Sequence, residues 1–168
     1  MKKLTMVASM VLVSLVAKSN AHAFDGWRNG AECQPATAAD AADLVYSQYG
    51  VQNMSTTTAR NVICPIPTVL EGDVTFGFRA YDRNNLFVGG NINNISCNIV
   101  SLTLDGAIDT SANLATSGGG PGAGAQEAEL TIFEMPAHWM WQFQCSIPKV
   151  NTPGHFSHLT FYWLQNAF

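Results

Sequence analysis

The sequence predicts an all-β protein, an antiparallel β-sandwich of about seven or eight short strands with jelly-roll or immunoglobulin-like connections. Three observations predict this fold. Apolar and polar residues alternate with a period of two along several segments, as they do in half-buried strands. Residues that favour turns separate these segments at short intervals, which is typical of sandwiches. Four cysteines among 168 residues predict two disulfides.

The first 23 residues have the pattern of a Sec signal peptide. Residues 1–3 are basic at positions 2 and 3, residues 4–17 are almost entirely apolar, and Ala21-His22-Ala23 matches a cleavage site. The apolar stretch is too short to cross a bilayer comfortably. We therefore expect residues 1–23 to be cleaved and residues 24–168 to form a secreted or periplasmic domain without a membrane span.

The mature chain begins with irregular and short elements. An alanine-rich segment, residues 36–43, follows Pro35, which suits the first turn of a helix. We expect one short helical turn there and a short strand at residues 44–46. Trp27 belongs to no alternating segment and is therefore a candidate for an exposed aromatic side chain.

Period-two alternation predicts the remaining strands. They cover residues 58–64, 74–81, 86–88, 95–104, 127–132, 139–147 and 158–163.

The clearest alternating segment places Trp139, Trp141, Phe143 and Cys145 on one strand face. The two tryptophans could form a platform that stacks on sugars, but their shared face with phenylalanine and cysteine favours packing in the core. In the last segment, Leu159, Phe161 and Trp163 alternate with Tyr162, so that Tyr162 is a second candidate for an exposed aromatic side chain.

A glycine-rich stretch separates the central strands from the last three. Residues 105–126 include seven consecutive positions, 118–124, of which five are glycine. Ordering such a stretch costs much conformational entropy, so we expect a long flexible loop. A domain boundary is the alternative, but neither half would be large enough for a comfortable core, and a single domain over 24–168 is expected.

The four cysteines are Cys33, Cys64, Cys97 and Cys145. No Cys-x-x-Cys pair is present, and their wide spacing does not match a zinc site. Four cysteines allow three pairings. We favour Cys33–Cys64 with Cys97–Cys145, because sequential pairing crosses no loops.

Composition argues against several kinds of partner. The mature chain would keep five of the eight basic residues and all twelve acidic ones. Phosphate binding needs a cationic surface, so nucleic acid is not expected as a partner. We predict no cofactor.

The residues that could carry chemistry form no recognisable catalytic pattern. His138, His155 and His158 lack a Gly-x-Ser-x-Gly partner sequence, and His155 and His158 would face opposite sides of a strand. Glu127 and Glu129 share a strand face and could serve glycoside hydrolysis, although solvated strands carry such pairs ordinarily. We predict no catalytic, metal or cofactor residues.

One polar cluster, Asp82-Arg83-Asn84-Asn85, is a weak candidate for a ligand site. Amides and carboxylates can bind sugars or calcium. The same residues are also the ordinary residues of turns, and this interpretation is favoured.

Together these features resemble a group of short Sec-exported bacterial proteins of unknown function with four cysteines. The resemblance is carried by short segments along nearly the whole mature chain. They are 29–33, Tyr49-Gly50 with Asn53, 62–65, Tyr81-Asp82-Arg83, Cys97 and 145–148. It implies a secreted β-sandwich with paired disulfides and no particular activity.

We therefore expect a non-enzymatic protein with a binding or structural role at the cell surface, whose partner is a carbohydrate or another protein. Two alternatives remain open: a secreted hydrolase that acts on glycans, and a subunit of an extracellular fibre or pilus-like assembly that associates through strand edges.

Overall fold

The structure is a computed structural model that describes residues 26–66, 72–83, 94–103, 105–117, 120, 122–135 and 140–166. The predicted signal peptide and the predicted strand 86–88 lie outside these residues. Two antiparallel sheets confirm the all-β prediction. In chain order the strands are β1 (Gly26–Asn29), β2 (Gln34–Pro35), β3 (Leu44–Ser47), β4 (Gly50–Asn53), β5 (Arg60–Pro65), β6 (Gly72–Tyr81), β7 (Ser96–Leu102), β8 (Ile108–Ala115), β9 (Gln126–Met135), β10 (Met140–Ile147) and β11 (His158–Asn166).

The strands divide into a six-stranded and a five-stranded sheet. The six-stranded sheet has the order β3-β4-β11-β6-β9, and β1 also pairs with β11; the five-stranded sheet has the order β2-β5-β10-β7-β8. The number of strands in the described residues exceeds the expected seven or eight because β8 and the short strands β1, β2 and β4 were not predicted; these three are only two to four residues long. Such short strands do not show a clear alternation in sequence.

The predicted helical turn is α1 (Ala38–Ala41), and a 3-10 turn spans Gly30–Glu32. The Thr37 hydroxyl accepts a hydrogen bond from the Asp40 N–H at 3.2 Å and so caps α1. Both helical elements in the described part of the chain are far shorter than a segment that could cross a membrane.

The core lies between the sheets and follows the predicted alternation. Phe76 and Phe78 of β6 are fully buried, and so is Phe143 of β10. The rings of Phe76 and Phe143 meet edge to face with centroids 5.9 Å apart, so aromatic packing joins the two sheets. Trp141 packs into the same core, as expected, while Trp139 lies outside the described residues.

Both disulfides have the favoured pairing. Cys97 and Cys145 are directly opposite each other on β7 and β10, and their bond lies in the core. Cys33 follows the 3-10 turn and joins Cys64 of β5. This second bond holds the N-terminal segment against the five-stranded sheet.

Two predictions are corrected by the structure. The expected loop at 105–126 contains strand β8, which pairs with β7 over most of its length and buries Leu114. Tyr162, expected to be exposed, is fully buried, and its hydroxyl donates a hydrogen bond to the Pro65 carbonyl at 2.9 Å.

The burial of Tyr162 has a local cause. The pairing of β11 with β6 shifts between Leu159 and Phe161, so that Thr160 forms an irregularity in the strand. Beyond one extra residue, a strand presents its opposite set of side chains to the core. Leu159 and Tyr162 are therefore both buried.

Two glycines fit closely around this irregularity. A β-carbon on Gly30 or on Gly50 would lie 2.2 or 2.0 Å from the Leu159 carbonyl oxygen, and Gly50 also has a φ of 113°. Glycine is therefore required at both positions. The Asn29-Gly30 and Tyr49-Gly50 pairs of the sequence thus serve this contact.

Candidate functional site

The outer side of the six-stranded sheet carries a set of aromatic side chains, which we call the aromatic face. Trp27 of β1 is directly opposite Trp163 of β11, and Trp163 is directly opposite Gly77 of β6. Further along the same pair of strands, His158 is opposite Tyr81. The face therefore runs across β1, β11 and β6 on the side away from the core.

Trp27 is the exposed member of the set. Its ring stacks on Trp163 with centroids 4.5 Å apart and an angle of 26° between the planes, while Phe161 meets its edge at 6.2 Å. Trp27 nevertheless remains 60% exposed. An indole that is fixed on one side and open to solvent on the other is a rigid apolar surface.

Gly77 explains the position of Trp163. A β-carbon at residue 77 would lie 2.2 Å from the Trp163 ring, so the indole lies against the bare backbone of β6. Trp163 is consequently only 5% exposed and serves as the base on which Trp27 stacks.

A second aromatic pair lies at the other end of the face. Tyr81 and His158 stack with centroids 4.8 Å apart, and the Arg83 guanidinium carbon lies 5.1 Å from the centre of the Tyr81 ring. A small cavity of about 130 Å³ is bordered by His158, Gln52 and the exposed Tyr49.

The surroundings of His158, at this end of the aromatic face, favour the neutral form of its imidazole. Burial lowers the pKa of His158, and the nearby positive charge of Arg83 acts in the same direction. An imidazole with a lowered pKa is neutral at pH 7 and can act as both donor and acceptor of hydrogen bonds.

Polar and charged groups border the aromatic face on β6 and β9. The Thr75 and Thr131 hydroxyls are hydrogen-bonded at 2.8 Å, and Arg79 lies 3.7 Å from Glu127. Glu127 and Glu129 share one strand face, as expected, but Glu127 forms an ion pair with Arg79. This arrangement does not isolate two carboxylates as a catalytic pair would require.

The structure places Asp82 and Arg83, the two described residues of the predicted ligand cluster Asp82-Arg83-Asn84-Asn85, in different surroundings. Asp82 is fully buried, and its carboxylate accepts hydrogen bonds from the Ile95 N–H and from the Thr116 and Ser157 hydroxyls. This carboxylate thus holds together three separate chain segments. Arg83 lies beside Tyr81 at the aromatic face, while Asn84 and Asn85 lie outside the described residues.

Of the three histidines that the sequence offered as candidates, the two that the structure describes lie in different elements of the fold. His158 joins the aromatic face, His155 lies in a turn bridged to Thr152, and His138 lies outside the described residues. Within the described ranges, no three His, Cys, Asp or Glu side chains come together as metal ligands could.

Trp27 is exposed, as predicted, but its stacking partners were not predicted. The alternation put Trp163 and Phe161 on the strand face opposite Tyr162, the expected exposed residue, because the irregularity at Thr160 leaves no trace in the sequence pattern. The one available signal was Gly77, a glycine in the middle of an otherwise regular strand, which marks a close approach by another group.

No family model matches this chain, and no curated protein matches it. Among solved structures, a family 6 carbohydrate-binding module is similar with a TM-score of 0.51 and 9% identity over 84% of this chain and 94% of that module. The enzymatically active domain of tailspike protein 4 from bacteriophage CBA120 is similar with a TM-score of 0.50 and 12% identity, over 70% of this chain. This chain spans only 15% of that tailspike chain. At these identities the likenesses describe the fold alone.

Proposed function

We propose that this protein is a non-enzymatic carbohydrate-binding module of the cell exterior or periplasm, and that Trp27 is the centre of its binding site. The observation that carries the proposal is the stack of Trp27 on Trp163, which leaves the indole open and fixed. The likeness to a family 6 carbohydrate-binding module supports the sandwich as a scaffold for this role.

The chemistry of the aromatic face fits a sugar ring. One side of many pyranose rings presents only C–H groups, which pack on the electron-rich face of an indole. Because Trp163 already holds Trp27 in place, little side-chain entropy would be lost on binding. The Thr75 and Thr131 hydroxyls and Gln165, on neighbouring strands, can supply hydrogen bonds to the sugar hydroxyls.

The surroundings of three described carboxylates favour glycan binding over glycan hydrolysis. The Asp82 and Asp40 carboxylates are buried and accept hydrogen bonds within the fold, and Glu127 pairs with Arg79. Glycoside hydrolysis needs two carboxyl groups that face each other across an open site. An exported location is supported by the two disulfides, which persist in oxidising compartments.

A glycan array followed by titration calorimetry tests the proposal. The mature chain is expected to bind a polysaccharide or oligosaccharide. Trp27→Ala is expected to weaken this binding at least tenfold, because aromatic side chains that a ligand covers on binding carry most of the energy of such sites. Since Trp27 is exposed, the variant should remain folded.

Ile108→Ala is the matched control, because Ile108 is 61% exposed and lies on the other sheet. It should bind glycan as the wild type does. Wild-type affinity in the Trp27→Ala protein, or the absence of binding to every glycan on the array, would overturn the proposal.

A further inference from the structure

A groove of about 350 Å³ lies on the outer side of the five-stranded sheet, opposite the aromatic face. We call it the amide groove. The side chains that give it its character are two asparagines, one glutamine, two serines and one isoleucine: Asn61, Asn98, Gln144, Ser96, Ser146 and Ile63. Its volume is at the lower end of the range for small-ligand pockets.

The register of the sheet explains why these side chains meet. Gln144 of β10 is directly opposite Ile63 of β5 and Asn98 of β7. Two residues further along β10, Ser146 is in the same way opposite Asn61 and Ser96. Residues two apart on a strand share a face, so the groove is built from two adjacent rows across three strands.

Two of these side chains accept hydrogen bonds from the next strand. The Asn113 amide of β8 donates hydrogen bonds to the Asn98 side-chain oxygen at 2.8 Å and to the Ser96 hydroxyl at 2.9 Å. With its oxygen engaged, Asn98 has its NH₂ group left to offer. The groove thus contains a fixed hydrogen-bond donor.

The other polar side chains have unused capacity for hydrogen bonds. Within the part of the chain that the structure describes, the side chains of Asn61, Gln144 and Ser146 make no hydrogen bond to protein groups. Each amide offers both a donor and an acceptor, and each hydroxyl can serve as either. A ligand with many groups that both donate and accept would match them.

The absence of charged side chains from the described lining of the groove indicates which class of ligand it would bind. No charged and no aromatic residue is among the described residues that line it. Nucleic acid would need cations, a divalent metal would need carboxylates, and a protein interface would need aromatic or arginine anchors. Neutral sugars need only amides and hydroxyls, with an apolar contact such as Ile63.

We infer that the amide groove is a second binding site, specific for neutral saccharides. It goes beyond the proposed function, because it lies on the other sheet and shares no residue with the aromatic face. One molecule with two opposite sites could hold two segments of glycan at once.

Nuclear magnetic resonance of the ¹⁵N-labelled mature chain tests the two sites separately. Maltohexaose, cellohexaose and xylohexaose are the probes. At least one of them is expected to shift the side-chain NH₂ signals of Asn98 and Gln144. Gln144→Ala should raise the Kd for that sugar at least fivefold. Gln142→Ala is the matched control, since Gln142 is on the same face of β10 but does not line the groove.

The outcomes distinguish the inference from the proposed function. Shifts of the groove amides without a shift of the Trp27 indole signal would support the groove and show that this sugar does not bind at the aromatic face. Shifts of the Trp27 signal alone would refute the groove. If none of the three sugars shifts the Asn98 and Gln144 signals, or if Gln144→Ala binds as Gln142→Ala does, the groove is not a saccharide site.

Discussion

The substitution Gly77→Ala tests whether bare backbone on β6 positions the binding surface. An alanine β-carbon would lie 2.2 Å from the Trp163 ring. Carbon atoms in contact are ordinarily about 3.5–4.0 Å apart, so the indole must move by about 1.5 Å. Trp163 is nearly buried and stacked on Trp27, and therefore cannot move without disturbing that stack.

The magnitude follows from three contributions. Crowding of this kind costs about 1–3 kcal/mol. The loss of the Trp27–Trp163 stack removes a further contribution of about 0.5–1.5 kcal/mol. Alanine in a strand interior is intrinsically favoured over glycine by about 0.5–1 kcal/mol, which offsets part of this cost. We expect the free energy of unfolding to fall by about 0.5–4 kcal/mol in total.

Urea denaturation of the mature chain measures the change in stability, and titration calorimetry measures the loss of glycan binding. Gly122→Ala is the control, because a β-carbon at residue 122 has no atom within 4 Å. If Gly77→Ala is as stable as Gly122→Ala and binds glycan equally well, then Trp163 does not depend on residue 77 and the reasoning fails.

Two further predictions concern the fold. Gly50→Ala combines a φ of 113° with a β-carbon 2.0 Å from the Leu159 oxygen, so it should destabilise the chain by at least about 3 kcal/mol in urea denaturation. Gly154 also has a positive φ, 81°, but a β-carbon there would have no atom within 4 Å, so Gly154→Ala should lower the free energy of unfolding by only about 1–2 kcal/mol. If both variants lose the same stability, the predicted clash between residue 50 and the Leu159 oxygen is wrong. Burial raises the pKa of Tyr162 to about 12, with the charge of Glu32 acting in the same direction, so the folded state keeps the phenol protonated more strongly than the unfolded state. The resulting stabilisation is complete below pH 10 and is lost as the pH rises towards 12, and Tyr162→Phe should show a shallower loss over that range; identical pH profiles would contradict the assignment.

Alternation in sequence predicted the strands that are regular and long. On β6 and β10 every second residue faces the core without interruption, so the pattern in the sequence and the pattern of burial coincide. The favoured disulfide pairing, Cys33–Cys64 with Cys97–Cys145, is confirmed, and it was predicted because sequential pairing crosses no loops. Local periodicity is sufficient where no residue is inserted.

The rest depends on contacts between distant segments. Nothing within β11 shows that Thr160 interrupts its alternation, because the interruption is held by Gly30 and Gly50. Strand β8 was hidden by its closeness to the glycine-rich stretch, and it is defined by pairing with β7. Both require knowledge of which strands are neighbours.

The same limit applies to the two candidate sites. Trp27 could be recognised as exposed because it lies outside every alternating segment. Its stacking partner Trp163 is distant in sequence and becomes adjacent only through the pairing of β1 with β11. The amide groove likewise depends on the register of three strands, and its residues taken singly resemble ordinary surface positions.

Two of the residues that carry the resemblance to Sec-exported proteins, Asn53 and Asp82, have structural roles. The Asn53 side-chain NH₂ group donates hydrogen bonds to the carbonyl oxygens of Thr58, Ile147 and Pro148 and is fully buried. The Asp82 carboxylate joins three segments in a similar way. Asn53 and Asp82 thus specify how the sandwich closes, and membership of that group stays a prediction.

The distribution of charge over the two sheets bears on what kind of glycan either site would take. The central strands of the five-stranded sheet carry one charged residue, Arg60, which pairs with Asp43. Beside the aromatic face, Arg79 offsets the charge of Glu127, which leaves the exposed Glu129 as a negative charge opposite Gly77. A carboxylate near the Trp27–Trp163 stack would repel uronic acids and sulfated sugars. The two faces, built from different side chains, therefore favour the same class of ligand. The groove does so because its described lining lacks charge, and the Trp27–Trp163 stack does so because a carboxylate lies near it.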